Sequence, residues 1–436
     1  MRLFLTLLLA VGLVSCVDPV DGILLGTVDV LVVDGIINNL PEPQVIRLNR
    51  SKSDPFTGQT GFTPITGATI EVVVDSAEAI PCHETTEGNY QLPSDFKGKI
   101  GHAYQLRFSL ADGTRYASTQ QIMPAYPVPA INKLTARFNP KSLRTPLDGF
   151  YTAGHDLFVE FKDPVEAHNY YRWDWKIWEK QQWCRTCQQG VYAVYGIRDS
   201  LVLSNASRGN YYIYTEDRST RLEDCYRELT PPAFSYRTPL PNYAYDYMCR
   251  TNCWEIFYSH DITVFDDVYT NGGLITGLKA AQIPFYTYNP CLVEVRQSSL
   301  TVDAYGYFKA IQDQTERTGG LADTPPSVLA GNVHNVANRK EVVVGFFSAS
   351  VLTSLRYWLD RKDASGVSFG GSGPAGYGGD VGSELFYVLN RRQPAMEPTP
   401  PAIPQMVIQN SLNRPPTAFC LPSDTRTPNK PEGWRD

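Results

Sequence analysis

The stretch Ala103-Tyr104-Gln105-Leu106-Arg107-Phe108-Ser109-Leu110 alternates between side chains that shun water and side chains that seek it. A period of two puts Tyr104, Leu106, Phe108 and Leu110 on one face of an extended chain, as in a strand half-buried in a sheet. Asp112-Gly113 follows as a turn. Upstream, Val28-Asp29-Val30-Leu31-Val32-Val33, Gln44 to Leu48, Thr69 to Val74 and Gly88 to Leu92 read as further short strands, with Asp34-Gly35 as a turn after the first. Short strands at even spacing predict an immunoglobulin-like β-sandwich over residues 28–122. The segment Met123-Pro124-Ala125-Tyr126-Pro127-Val128-Pro129 then reads as a stiff linker, residues 123–130.

A larger β-rich domain is expected over residues 131–392. Asp156 to Phe161 is a strand ended by Lys162-Asp163-Pro164. In the next strand Tyr171, Trp173, Trp175 and Ile177 share one face, opposite Arg172, Asp174 and Lys176. Such a row serves a core or a sugar-stacking platform, and the core is the favoured reading. Tyr192 to Tyr214, Glu255 to Phe265, Val342 to Ser348 and Leu355 to Leu359 add strands, and residues 231–247 read as an aromatic loop. One helix is expected after Ser298-Ser299 as caps, with Leu300, Ala304, Tyr307, Phe308 and Ile311 on one face and Gly319-Gly320 ending it. Pro-rich residues 393–436 read as a tail, so the fold class is mainly β with one or two helices.

The N-terminus reads Met1-Arg2, an apolar run from Leu3 to Val14, then Ser15-Cys16. This is the pattern of a secretory signal peptide, residues 1–15, and the run is shorter than the roughly 20 residues a membrane span needs. Leu13-Val14-Ser15-Cys16 resembles a bacterial lipobox, which predicts cleavage before Cys16, acylation of its sulfur and a lipidated tether over 16–27. Several acyl chains anchor stably where one binds only marginally. Of nine Cys, those left after Cys16 are Cys82, Cys184, Cys187, Cys225, Cys249, Cys253, Cys291 and Cys420. In an oxidising compartment this even set predicts disulfides whose connectivity the sequence does not choose. Cys184, Cys187, Cys249 and Cys253 are the alternative four ligands of a zinc site.

Charged residues make up 19% of the 436, net charge is −6, and 33 Gly and 32 Pro accompany 26 Tyr. That suits a loop-rich extracellular β protein and gives no basic patch for nucleic acid. Gly371-Ser372-Gly373-Pro374-Ala375-Gly376 spells a dinucleotide fingerprint, but more Gly follows where a helix must start to hold the pyrophosphate. Gly366-Val367-Ser368-Phe369-Gly370 spells a nucleophile elbow that runs into the same Gly-rich loop. His83, His102, His155, His168, His260 and His334 show no metal-ligand spacing and read as structural or surface residues. The acids Asp266-Asp267 and Glu216-Asp217 are of the kind that serves acid/base chemistry or binds calcium, but with no EF-hand pattern they read as solvated loop carboxylates. The expectation is therefore no catalytic residue, no metal and no cofactor.

Several segments together resemble a family of Bacteroidota lipoproteins defined as domain-of-unknown-function family 4249. They are the lipobox with Asp34-Gly35-Ile36-Ile37, Gly88-Asn89-Tyr90 with Gly101, Tyr104 and Leu106, and Phe161-Lys162-Asp163-Pro164 running into Asn169-Tyr170-Tyr171-Arg172-Trp173. The most specific runs from Ser299-Leu300 through Ala304-Tyr305 and Gly331-Asn332-Val333 to Val344-Gly345-Phe346-Phe347-Ser348-Ala349-Ser350, and the end from Pro415 to Trp434 is similar too. Family tails carry a second Cys where this chain has Ser423, so the resemblance leaves Cys420 to pair elsewhere, with Cys291 as one option, or to stay free. It also implies an association with SusC-like TonB-dependent transporters. The function expected is a non-catalytic, surface-facing outer-membrane lipoprotein that serves such a transporter, held to the bilayer through acylated Cys16, with its ligand unknown. A structural or adhesion lipoprotein is the alternative. Asp18 and Asp21, close to the lipidated Cys16, are candidates for a surface-export signal.

Overall fold

A computed structural model describes residues 30–53, 60–125, 128–144, 151–165, 168–188, 244–316, 329–368 and 417–436. The chain is mainly β and divides into two compact units, Met1–Tyr126 with Pro325–Val351, and Pro127–Thr324 with Leu352–Asp436. No helix among the described residues is long and apolar enough to cross a membrane.

The first unit holds two sheets. In one, Leu31–Asn38 pairs with Val45–Ser53, which pairs with Asn89–Gln91 and Thr60–Pro64, and His83–Thr86 lies beyond. In the other, Thr69–Val74, Ala103–Ser109 and Arg115–Ser118 are neighbours, flanked by Glu78–Pro81. The alternation around Tyr104 is realised: Tyr104, Leu106 and Phe108 are buried while Arg107 is exposed. Asp34-Gly35 is not a turn. The strand continues through it to Asn38 with Asp34 and Gly35 paired to Arg47 and Ile46, and the absence of a Cβ at Gly35, which would meet Ile46 Cδ1 at 2.5 Å, lets that side chain pack there.

The expected assignment of Val342–Ser348 to the second domain is corrected. Val343–Val344 and Phe347–Ser350 pair parallel to Leu31–Asn38, and Val333–Asn335 pairs antiparallel to Arg115–Ser118. Residues from the far side of an insertion thus complete both sheets of the first unit. Gly345 lies between the two short strands at φ 100°, and its Cβ would stand 1.8 Å from the Val33 carbonyl oxygen. Only glycine lets the backbones approach so closely. Asn332 acts as a surrogate strand partner. Its Oδ1 accepts from the Phe347 N–H and its Nδ2 donates to the Phe347 carbonyl, both at 2.8 Å.

The second unit contains a three-stranded sheet of Lys133–Arg144, Tyr151–Lys162 and Leu274–Pro284. A larger sheet runs Leu352–Leu359, Cys291–Ser299, Tyr170–Lys180, Trp254–Tyr258 and Arg426–Thr427. Tyr171, Trp173, Trp175 and Ile177 are all buried, so the aromatic row fills the core and offers no platform to a sugar. Glu255 to Phe265 is two strands, Trp254–Tyr258 and Thr263–Asp266, which share Tyr170–Lys180 as partner. The helix spans Val302–Glu316. Ser298 and Ser299 end the preceding strand and do not cap it. The cap is Thr301, whose Oγ1 accepts from the Ala304 N–H at 3.3 Å. The last residues are no loose tail either: Arg426–Thr427 joins the sheet, and Trp434 meets Trp254 and Trp358 edge-on.

In the large sheet a charge row crosses three strands in register. Glu294 lies opposite Lys176 and Arg356, with contacts of 3.3 and 2.7 Å. Burial pushes the Glu294 carboxyl upward, but the two cations outweigh it and hold it below its ordinary value. A carboxyl depressed in the folded state stabilises above its unfolded value, and that contribution disappears as pH falls through the folded one. Urea unfolding of wild type and Glu294→Gln should therefore differ most near neutrality, and the gap should narrow on acidification below about pH 4.5. A gap constant with pH would show that the carboxylate charge contributes nothing.

Candidate functional site

Two loops of the second unit bring acids and an imidazole together. The first follows Tyr151–Lys162, where Pro164 ends the strand because it has no N–H for the ladder. The preceding Asp163 turns inward and is 1% exposed. Its Oδ1 accepts from the Tyr171 hydroxyl at 2.6 Å and its Oδ2 from the Gly272 N–H at 3.1 Å. The second loop follows Thr263–Asp266, whose register sets Asp266 opposite Tyr170. There the Asp267 N–H donates to the Asn169 carbonyl and the Thr270 N–H to the Asp267 carbonyl, so the chain turns with Asp267 inside, 0% exposed.

His168 Nε2 lies 2.5 Å from Asp266 Oδ1 and 3.5 Å from Asp267 Oδ1. Asn169 Nδ2 donates to Asp267 Oδ2 at 3.1 Å, whereas the buried Asp267 Oδ1 has no hydrogen bond. Burial pushes the Asp163 carboxyl above its ordinary range, and neighbouring Asp267 adds to this against the bonds from Tyr171 and Gly272. The bond to Asp266 raises the His168 imidazole. His168 also lies against Tyr170, and Tyr170 against Tyr305 of the helix, with centroids 4.7 and 4.6 Å apart. Around this cluster Val165, Val268, Tyr269 and Leu274 are exposed, Tyr269 by 95%. The reading of Asp266-Asp267 as solvated loop carboxylates is thus half right. Asp266 reaches solvent, and Asp267 does not.

A second buried charge lies where no motif pointed. Arg361, 1% exposed, donates from Nη2 to Glu179 Oε1 at 2.6 Å and from Nη1 to the carbonyls of Thr287 and Asn289 at 2.9 and 3.0 Å. Nη2 also reaches Cys291 Sγ at 3.4 Å, and burial pushes that thiol up to about 12. A protonated thiol at this depth is no nucleophile. His155, wholly buried, contacts Asp363 at 3.1 Å, so it is a core residue whose ring packs against Phe138.

The cysteines divide into bridged and free. Cys184 is bonded to Cys249 and Cys253 to Cys420. Cys82 and Cys291 carry free thiols, so they leave the disulfide set, and the option of a Cys291–Cys420 bridge is overturned. Sγ atoms of Cys184, Cys249 and Cys253 lie within 4.8 Å of one another, but a bridged sulfur is not the thiolate that zinc requires. The expectations at Cys16, Asp18, Asp21, Cys225, Glu216-Asp217, residues 1–29 and most of the Gly-rich loop lie outside the described residues, as does the side chain of Cys187.

The sequence profile of a family described as a domain of unknown function, DUF4249, matches residues 19–356. No curated protein and no solved structure matches the chain.

Proposed function

The chain belongs to the DUF4249 family, and from that premise we propose that it is a non-catalytic, lipid-anchored binding component at the bacterial outer membrane, serving a TonB-dependent transporter of the SusC-like kind. The observation that carries this reading is the pair of disulfides, Cys184–Cys249 and Cys253–Cys420. Bridges of this sort persist in oxidising compartments and are rare in the cytosol. They support export, and with the lipobox at Cys16 they support a protein held by its acylated N-terminus outside the cytoplasm. The exposed side chains of Val165, Val268, Tyr269 and Leu274 support a contact role, since apolar groups gathered on a surface mark interaction sites.

The test is cross-linking and co-purification from membranes of cells that express the protein at its native level. A β-barrel transporter should be recovered with wild type, and metabolic labelling with an alkyne fatty acid should be lost in Cys16→Ala. Recovery of no barrel, with normal growth on every nutrient after deletion and an altered envelope, would replace this reading by a structural or adhesion lipoprotein.

A further inference from the structure

We propose that His168, Asp266 and Asp267 bind a divalent transition ion, zinc or manganese, which clamps the loop after Tyr151–Lys162 to the loop after Thr263–Asp266. The three residues each present a ligand atom, and these atoms lie within 4.8 Å of one another. A tetrahedral site with metal–ligand bonds of about 2.1 Å has ligand-to-ligand edges of about 3.4 Å. The His168 Nε2 to Asp267 Oδ1 separation of 3.5 Å already has that length. The 2.5 Å contact of Nε2 with Asp266 Oδ1 is a hydrogen bond that must open by about 1 Å as the ion replaces the shared proton.

Independent support comes from Asp267 Oδ1. It belongs to a fully buried residue, makes no hydrogen bond and faces His168. Apart from that 3.5 Å contact the buried oxygen has no partner, which leaves part of its desolvation penalty uncompensated, and a second buried carboxyl, Asp163, hydrogen-bonds the Asp267 side chain. One bound dication gives Asp267 Oδ1 a full partner and offsets its charge. The surroundings are those of a ligand set held in place. Asn169 Nδ2 bonds the other Asp267 oxygen, the Val268 N–H bonds Asp266 Oδ1, and Tyr170 packs against the His168 ring. Imidazole beside carboxylates suits first-row divalent ions, of which zinc favours the imidazole and manganese the carboxylates, whereas calcium takes oxygen alone. His168 and Asp266 keep one side of the site open to water, their side chains being 45% and 26% exposed.

The experiment uses the full mature chain in detergent with its disulfides intact, stripped with EDTA and desalted. A Cys82→Ser background removes the half-buried free thiol that zinc would also seek. Calorimetric titration with zinc chloride, and manganese titration followed by electron paramagnetic resonance, should show one site per chain and a rise in melting temperature. His168→Ala, a change at an exposed side chain, should weaken binding by at least about 10–100-fold while leaving the apo protein folded. Asp267→Asn should do the same, and it should stabilise the apo protein at neutral pH by removing a buried charge. Absence of binding by either ion would overturn the proposal. So would a site that takes calcium only, or one indifferent to His168→Ala.

Discussion

Arg361→Met is expected to destabilise the second unit by about 3–5 kcal/mol, the cost of stranding one member of a buried ion pair. The stranded member is Glu179, 2% exposed, whose carboxylate has Arg361 as its salt-bridge partner at 2.6 Å. Methionine matches much of the arginine stem in volume, so the loss will reflect charge more than a cavity. The carbonyls of Thr287 and Asn289 also lose their donor. The backbone adds a second constraint, because Arg361 adopts φ 54°. That left-handed conformation costs a non-glycine residue roughly 1–2 kcal/mol, which the side-chain bonds outweigh. Arg361→Gly would relieve the backbone and still be strongly destabilising, which separates the two effects.

The companion double variant decides the mechanism. In Arg361→Met with Glu179→Leu the carboxylate is gone, and most of the lost stability should return, since a buried pair replaced by apolar groups is often neutral or better. Denaturant midpoints of the single and double variants give the coupling directly. A single-variant loss under about 1 kcal/mol, typical of exposed pairs, would mean that solvent reaches Glu179 and that the pair does not lock the fold.

Arg361 also marks where sequence reading stops. It sits among four consecutive charged residues, Asp360-Arg361-Lys362-Asp363, with no motif to set it apart from Lys362, whose side chain is 84% exposed. What distinguishes the two is left-handed backbone at one residue, set by tertiary context. The strands around Leu106 and Trp173 were legible because period-two alternation is local. The contribution of residues 329–351 to the first unit was not, because parallel pairing of Leu31–Asn38 with Phe347–Ser350 joins segments from opposite sides of an insertion. The motifs Gly331-Asn332-Val333 and Val344-Gly345-Phe346-Phe347 carry the family resemblance, and their reason is structural. They are the clamp and the close backbone crossing that return the chain to its first sheet. Ser298-Ser299 misled because serine serves a strand end as readily as a helix cap, and the register with Leu352 decides for the strand. The acid–imidazole cluster was hidden by separation, since His168 and Asp266 lie 98 residues apart.

Removal of the Cys253–Cys420 bridge by the double change to serine should cost up to about 5 kcal/mol, and removal of Cys184–Cys249 up to about 4 kcal/mol. Both figures follow from the chain each bridge closes, with sequence separations of 167 and 65. Because the entropy of loop closure grows only with the logarithm of loop length, the two should differ by about 0.8 kcal/mol. The loops do not overlap, one ending at Cys249 and the other starting at Cys253, so the loop-closure contributions are separate, but the sulfurs of Cys184, Cys249 and Cys253 lie within 4.8 Å of one another, so the fourfold variant should depart from the simple sum. The longer bridge has a second, local consequence. It holds residues 417–436 against the large sheet, where Arg426 bonds Glu255 at 2.7 Å and Trp434 packs on Trp254. Hydrogen exchange in Cys253→Ser/Cys420→Ser should therefore rise first at Arg426 and Thr427 and at their partners Glu255 and Trp254, ahead of the rest of the sheet. Uniform loss of protection would mean that the bridge acts through the unfolded chain alone. A Cys184→Ser/Cys249→Ser variant less stable than Cys253→Ser/Cys420→Ser would rule out loop closure as the main source of stabilisation, because the shorter loop cannot confine the unfolded chain more than the longer one does.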